Sequence, residues 1–198
     1  MIISVPKGRI YSCFYKFLKE KKIKIYNKNN RKLILNTNSS FKVALLKQTD
    51  TIYYLINNYV DFSIVGFDFF LEKNFFKLIK KNIIGVKKMN FFKCGLYLIR
   101  KKNKSYKRKR IVISTKYINI TKKYYKNFKK KVININGSNE LAIKFKISDF
   151  IIDIVDTGKT LKDNNLKKIY KLFDIFPVII YLKKNIDIKK ISFLYENN

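Results

Sequence analysis

Residues 148–161 read S-D-F-I-I-D-I-V-D-T-G-K-T-L, an apolar run that ends in acidic residues, turns through threonine and glycine, and enters a helical pattern. Strand, tight turn and helix in that order form one step of a β-α alternation, and the rest of the chain repeats the step. Residues 2–5 make a short apolar strand, after which Ile10, Cys13, Phe14, Phe17 and Leu18 recur at helical spacing. Further strands are expected at 23–26, 33–35, 43–46 and 62–65, with helical patterns from about Asp50 and after Gly66. Residues 92–99 read as a strand leading into a lysine-rich loop at 100–110, a solvated hairpin connection. Beyond it the alternation restarts with a strand at 111–114 and a helix carrying Tyr117, Tyr124 and Phe128 on one face. Strands at 132–135, 150–155 and 178–182 follow, then a short helical tail. The restart implies a second α/β lobe.

At 198 residues the chain can bury a core without disulfide or metal staples. It contains no histidine, which excludes imidazole bases, Ser-His-Asp triads and histidine metal ligands. Cys13 and Cys94 lack C-x-x-C spacing and read as free thiols, with Cys94 in the core. A formal charge of +32 has a nucleic-acid partner as its default reading. Yet only five of the 45 cations are arginine, the residue a nucleic-acid site favours. Lysine, isoleucine, asparagine, phenylalanine and tyrosine supply 123 residues, whereas alanine, glycine and proline together supply ten. A/T-rich codons specify the first group and G/C-rich codons the second, so the basicity is ascribed to mutational bias more than to a dedicated nucleic-acid surface. Lys7 and Arg9 interrupt the apolar start, and no apolar run nears the roughly 20 residues of a membrane-spanning helix. A soluble, cytoplasmic chain is expected.

With glycine this scarce, each one asks for a backbone reason. Gly8, Gly66, Gly137 and Gly158 all sit beside polar groups in short turns. The last is the most telling. Gly158 lets the backbone bend so that successive N–H groups point inward, Thr157 and Thr160 add hydroxyl donors, and a helix start adds partial positive charge. A phosphate monoester fits such a turn. Asp153 and Asp156, at or near the carboxyl end of the strand, can accept hydrogen bonds from sugar hydroxyls or sit near magnesium. Phosphate donors beside carboxylates point to a sugar phosphate.

Five segments in order resemble the short-form catalytic chains of the ATP phosphoribosyltransferase family. They are V-P-K-G-R-I at 5–10; V-D-F-S-I-V-G-F-D at 60–68, similar to A-D-L-G-I-V-G-x-D; and S-T-K-Y-I-N-I at 114–120, similar to A-T-x-Y-P-N-I. N-G-S-N-E-L-A at 136–142 then resembles G-S-x-E-L-A, and D-F-I-I-D-I-V-D-T-G-K-T-L at 149–161 resembles D-x-I-x-D-I-V-x-T-G-x-T-L.

The resemblance implies two α/β lobes around a cleft, like a type II periplasmic binding protein, with no C-terminal regulatory domain. It places 1–92 plus about 172–198 in the first lobe and about 93–171, with the phosphoribosyl pyrophosphate loop, in the second. The implied reaction is that of a pentosyltransferase at the first step of histidine biosynthesis. Phosphoribosyl passes from phosphoribosyl pyrophosphate to a ring nitrogen of ATP's adenine, giving phosphoribosyl-ATP and pyrophosphate with magnesium present. Asp153 would bind the ribose hydroxyls, with Asp156 a companion. Thr157, Gly158, Lys159, Thr160 and Leu161 would surround the 5-phosphate. Lys7, Gly8 and Arg9 would face phosphates of ATP or of the leaving pyrophosphate, and Gly137, Ser138 and Glu140 would line the cleft. Lys47, Asp50 and Asp68 complete the ATP set, and Asp153, Glu140, Lys7 and Arg9 are the catalytic candidates. Metal ligands stay unassigned. The implied partners are a regulatory subunit resembling histidyl-tRNA synthetase and a second catalytic chain, with no membrane and no specific nucleic acid.

Positioning and electrostatics suit a chain without histidine, because an oxocarbenium-like sugar and a departing pyrophosphate need no covalent nucleophile. Lys47 replaces an arginine of the family pattern and loses its bidentate fork. Gly95 replaces another arginine, Ile52, Ile118 and Ile143 stand for prolines, and Lys146 for a glycine. Asp61 reads as a solvated residue at a strand start and Arg31 as a loop cation. Two alternatives remain at this point: a basic nucleic-acid-binding protein, and an eroded nucleotide-binding module of the same fold.

Overall fold

The computed structural model describes residues 1–26, 32–102, 111–184 and 188–195. Arg31 and most of the 100–110 loop lie outside the described residues. The chain forms two compact units, one of Met1–Phe70, Asn74–Phe92 and Phe176–Asn198, the other of Leu71–Lys73 and Lys93–Ile175.

The chain opens with β1 (Ile2–Pro6), α1 (Arg9–Glu20), β2 (Ile25–Tyr26), β3 (Ile34–Thr37) and β4 (Lys42–Leu46). It continues through α2 (Thr51–Ile56), β5 (Phe62–Gly66), α3 (Phe67–Glu72), α4 (Phe76–Lys80), β6 (Ile84–Lys88) and β7 (Cys94–Lys101). Then come β8 (Ile111–Thr115), α5 (Ile118–Tyr124), β9 (Lys130–Asn134), α6 (Asn139–Lys144) and β10 (Phe150–Val155). The chain closes with α7 (Lys159–Asp163), β11 (Leu166–Ile175), β12 (Pro177–Leu182) and a 3-10 segment at Ile188–Leu194. The first unit holds a sheet of order β2-β3-β4-β1-β5-β12-β6, and the second a sheet of order β11-β7-β10-β8-β9.

In the first unit β1 lies between β4 and β5, parallel to both. A strand in that position is covered on both faces, which explains its apolar run. The stripe read from sequence on α1 is the buried one: Phe14 and Leu18 reach the core with Ile3, Val5, Val43 and Ile64, and Ile10 and Phe17 pack at its margin. At about 25 cal/mol per Å² of apolar surface, each fully buried phenylalanine or leucine there contributes roughly 1.5–3 kcal/mol.

Both units tie neighbouring parallel strands together in the same way. Asp61 accepts the Ile2 N–H at 2.6 Å, and Asp149 accepts the Val112 N–H at 3.0 Å. Ser4 and Ser63 hydroxyls meet at 2.6 Å, and Ser114 and Ser148 hydroxyls at 3.0 Å. Each carboxylate satisfies an N–H near the start of a strand that the ladder leaves over. Asp61 therefore has a structural task beyond solvation.

Three readings change. Strands β6 and β11 have no counterpart in the sequence pattern. In β11 two register irregularities, between Lys168 and Tyr170 and between Lys171 and Phe173, break the period-2 alternation. The aromatic face expected after residue 117 does not form: α5 stops at Tyr124, Tyr117 is buried, and Tyr124 and Phe128 are exposed.

Glycine scarcity shows at the helix ends. Lys22, Asn58, Asn74, Asn82, Lys146 and Asn165 adopt positive φ just past α1, α2, α3, α4, α6 and α7. This is the left-handed position that glycine usually fills, with asparagine the next choice. Reverse hydrogen bonds such as Ile23 N–H to Leu18 O at 2.8 Å and Ile147 N–H to Ala142 O at 2.9 Å close these ends. Lys146, at φ 60°, stands where the family pattern has glycine, and a lysine there carries steric strain. Lys146→Gly is expected to raise stability by about 0.5–1 kcal/mol, read as a higher midpoint in urea unfolding. A lower midpoint would show that the lysine side chain contributes more than its backbone costs.

Candidate functional site

The second sheet reverses its winding beside β8. From β8 the chain passes through α5 to β9 on one side, then through α6 to β10 on the other, and all three strands are parallel. Loops leaving adjacent strands at such a reversal diverge and leave a crevice at the carboxyl ends, where ligands of open α/β sheets bind. The turn after β10 is the T-G-K-T segment. Gly158 has φ 79° and ψ 6° and begins α7, and the Thr157 hydroxyl accepts the Lys159 N–H at 3.4 Å. Thr157, Lys159 and Thr160 are exposed, whereas Leu161 is buried in the cluster of Ile99, Ile143, Ile151, Val155 and Leu166. Leu161 thus anchors the turn from beneath. Because α7 has only five residues, its dipole is small, and the polar groups the turn offers are its N–H groups, its hydroxyls and the cations nearby.

Asp153 lies two residues before the end of β10, on the face that carries Ile151 and Val155. A carboxylate on a helix-covered face needs donors. One oxygen accepts the Asn139 Nδ2–H at 3.0 Å, and the other accepts the Ile154 N–H at 2.8 Å. Asn139 is the first residue of α6, reached through Ser138 in a left-handed conformation at φ 35°. Thr115 fixes the neighbouring loop, donating to the Ile152 carbonyl at 2.8 Å and accepting the Tyr117 N–H at 2.9 Å.

Tyr97 on β7 is the cross-strand neighbour of Asp153. A Cβ at Gly95 would stand 2.4 Å from its ring, so the missing arginine at 95 and the position of this ring go together. On β11 the Lys168 ammonium lies 4.7 Å from the centre of the same ring and about 4.0 Å from where a Cβ would project at Gly158. A cation is thereby held beside the turn. Lys168 and Tyr97 escape the motif pattern altogether. Asn139 does leave a sequence signal: with Ala142 and Ile143 it forms an i, i+3, i+4 stripe, where a polar member marks a buried polar group.

Glu140 follows Asn139 in α6. It lines a depression of about 290 Å³ with Lys101, Lys144 and Asp163. Asp156, Gly137 and Ser138 are exposed.

The first unit repeats the reversal about β1. Residues 7–9, 47–50 and 67–68 follow the carboxyl ends of β1, β4 and β5, so Lys7, Gly8, Arg9, Lys47, Asp50 and Asp68 gather at one end of one sheet. The Lys7 N–H donates to the Leu46 carbonyl at 3.1 Å. Gly8 at φ 93° turns the chain into α1. Asp68 is buried, with Oδ1 folded over Gly66 near the Gln48 amide. Asp50 accepts the Thr49 hydroxyl at 2.7 Å. Among the described residues no cluster of three carboxylate or thiol groups could hold a metal ion.

The family model for ATP phosphoribosyltransferase, HisG, matches residues 47–197. The ATP phosphoribosyltransferase of Brachyspira hyodysenteriae is 32% identical over 206 residues, covering 99% of this chain and 92% of that one. The structure of the Thermotoga maritima ATP phosphoribosyl transferase (HisG:HisZ) complex matches with a TM-score of 0.74 at 25% identity, covering 98% of this chain and 94% of that one. The arginine-bound ArgBP of T. maritima shares the fold, with a TM-score of 0.56 at 11% identity over 98% of this chain and 92% of that chain.

The fold is thus the two-lobed α/β architecture of periplasmic binding proteins, here in a pentosyltransferase. The chain belongs to the ATP phosphoribosyltransferase family, whose reaction makes phosphoribosyl-ATP for histidine biosynthesis. That membership favours the transferase reading over both alternatives raised by charge and by the missing arginines.

Gly158→Ala is expected to cost only about 1 kcal/mol, through its positive φ, because the nearest atom to the new methyl is Val155 Cγ1 at 3.8 Å. Thermal unfolding measures this. A loss above about 3 kcal/mol would mean that the turn is closed more tightly than this geometry allows.

Proposed function

We propose that the turn after β10 holds the 5-phosphate of phosphoribosyl pyrophosphate and that Asp153 holds its ribose hydroxyls, while the loops after β1, β4 and β5 take the triphosphate of ATP. The observation that carries this reading is the Asp153 carboxylate, held by Asn139 within a few residues of Thr157–Thr160. A half-buried anion fixed by donors, next to a turn of N–H and hydroxyl groups, suits a ligand that presents hydroxyls and a phosphate together.

In the reaction an adenine ring nitrogen gives its lone pair to C1 of the sugar as the C1–O bond breaks, and pyrophosphate leaves with that bonding pair. Asp153, near the ribose, stabilises the positive charge that develops on the ring. Lys7, Arg9 and Lys47 neutralise phosphate oxygens, and Asp50 and Asp68 orient the nucleotide. Gly137 and Ser138 belong to the loop that brings Asn139 to Asp153, and Glu140 follows in α6. Asp156 and Lys159 flank the turn. Magnesium enters with the phosphates of the substrates and supplies charge neutralisation there.

For assembly, the HisG:HisZ complex of the T. maritima relative supports a hetero-oligomer with a regulatory subunit; we further propose that this subunit resembles histidyl-tRNA synthetase and that the catalytic chains pair as dimers. Among the described residues no helix is long and apolar enough to cross a membrane. A cytoplasmic location accords with the use of ATP and phosphoribosyl pyrophosphate.

Formation of phosphoribosyl-ATP by the full chain, alone and with such a partner, tests the assignment. Asp153→Ala and Thr157→Ala are each expected to lower turnover per substrate encounter by about 100-fold or more, with folding retained by circular dichroism. Undiminished product from Asp153→Ala would place the sugar elsewhere.

A further inference from the structure

Asn139 occupies the variable position of the G-S-x-E-L-A loop, so the motif gives it no task. Its side chain is 1% exposed, on the stripe of α6 that also buries Ala142 and Ile143. An amide in such a place should be satisfied at both ends. Only one end is. Nδ2 donates to Asp153 Oδ2 at 3.0 Å, whereas Oδ1 is buried without a partner among the described residues. A leucine or valine would avoid the orphaned acceptor, so packing does not account for the amide. Its donor end does. Asp153 stands on the covered face between Ile151 and Val155, and its other oxygen is occupied by the N–H of the next residue, Ile154. Among the described residues, the only bond to Asp153 from another element is the one from Asn139. The amide fixes which way the carboxylate faces, and as a neutral donor it leaves the negative charge in place for the ligand.

We infer that Asn139 is a positioning residue for the transfer: it orients Asp153 toward the ribose hydroxyls and thereby sets affinity for phosphoribosyl pyrophosphate, without touching substrate itself. This rests on the assignment of Asp153 to the donor sugar. Ser138 adds to it, because its left-handed backbone at φ 35° aims the first residue of α6 at β10.

Calorimetric titration of the full chain with phosphoribosyl pyrophosphate and magnesium, together with KM and kcat measurements, separates the possibilities. Asn139→Leu removes the donor and the orphaned acceptor while filling the space. It is expected to weaken phosphoribosyl pyrophosphate binding by about tenfold or more, leave KM for ATP within about twofold, and melt no lower than the native chain. Asn139→Ser, which keeps a donor, is expected to recover part of the loss. Asn139→Asp puts two carboxylates face to face and is expected to bind worse than Asn139→Leu. In an Asp153→Ala background, Asn139→Leu is expected to add nothing. Full-strength binding in Asn139→Leu, with Asp153→Ala impaired, would overturn the role of Asn139 and leave the sugar site standing. Equal binding in the native chain and in Asp153→Ala would instead remove the sugar site, and the inference with it. If Asn139→Leu does not fold, equal affinity of Asn139→Ser and Asn139→Asp would overturn the inference.

Discussion

A carboxylate placed on the covered face of a central strand forces its surroundings. Left without donors it would cost several kcal/mol or lose its charge, so the elements packed over it must supply hydrogen bonds. In this chain the requirement reaches outward from Asp153. Asn139 must begin α6 at the right height, which Ser138 achieves with a left-handed backbone. Strand β10 must end soon after, and Leu161 must lock the following turn into the cluster around Ile151 and Val155. The T-G-K-T turn is anchored beneath and exposed above because of this sequence of demands.

The same grammar builds both units. In each, a parallel strand is flanked by neighbours reached in opposite directions, an aspartate satisfies an N–H near the start of a strand, and two buried serine hydroxyls meet close by. Several loops converge at the carboxyl ends of these strands, and the motif residues fall there. Cations collect at one end, Lys7, Arg9 and Lys47 in the first unit, while Lys168 stands beside the turn in the second.

Strands buried on both faces were legible from apolar runs alone: β1, β4, β5, β8, β10 and β12 fall within a residue or two of their expected places. Strand β11 was not, because its bulges scramble the alternation and its lysines face solvent. Helix ends were hidden for a compositional reason. Lysine occupies the left-handed positions past α1 and α6 where glycine would have announced a stop, and the asparagines past α2, α4 and α7 are hard to pick out as terminators in a chain so rich in asparagine. In the site, the T-G-K-T turn and Asp153 were visible as residues with chemical meaning. Asn139 was not, since asparagine is abundant here and only its place on an apolar stripe sets it apart. Tyr97 and Lys168 depend on pairing across β7, β10 and β11, which no local pattern reveals.

The central claim is that the donor sugar phosphate sits on the end of β10. Hydrogen–deuterium exchange of the full chain, with and without phosphoribosyl pyrophosphate and magnesium, tests it most directly. Protection concentrated in residues 150–161 and 136–142 is the predicted result. Binding that protects neither segment, or that protects only the loops after β1, β4 and β5, would contradict it.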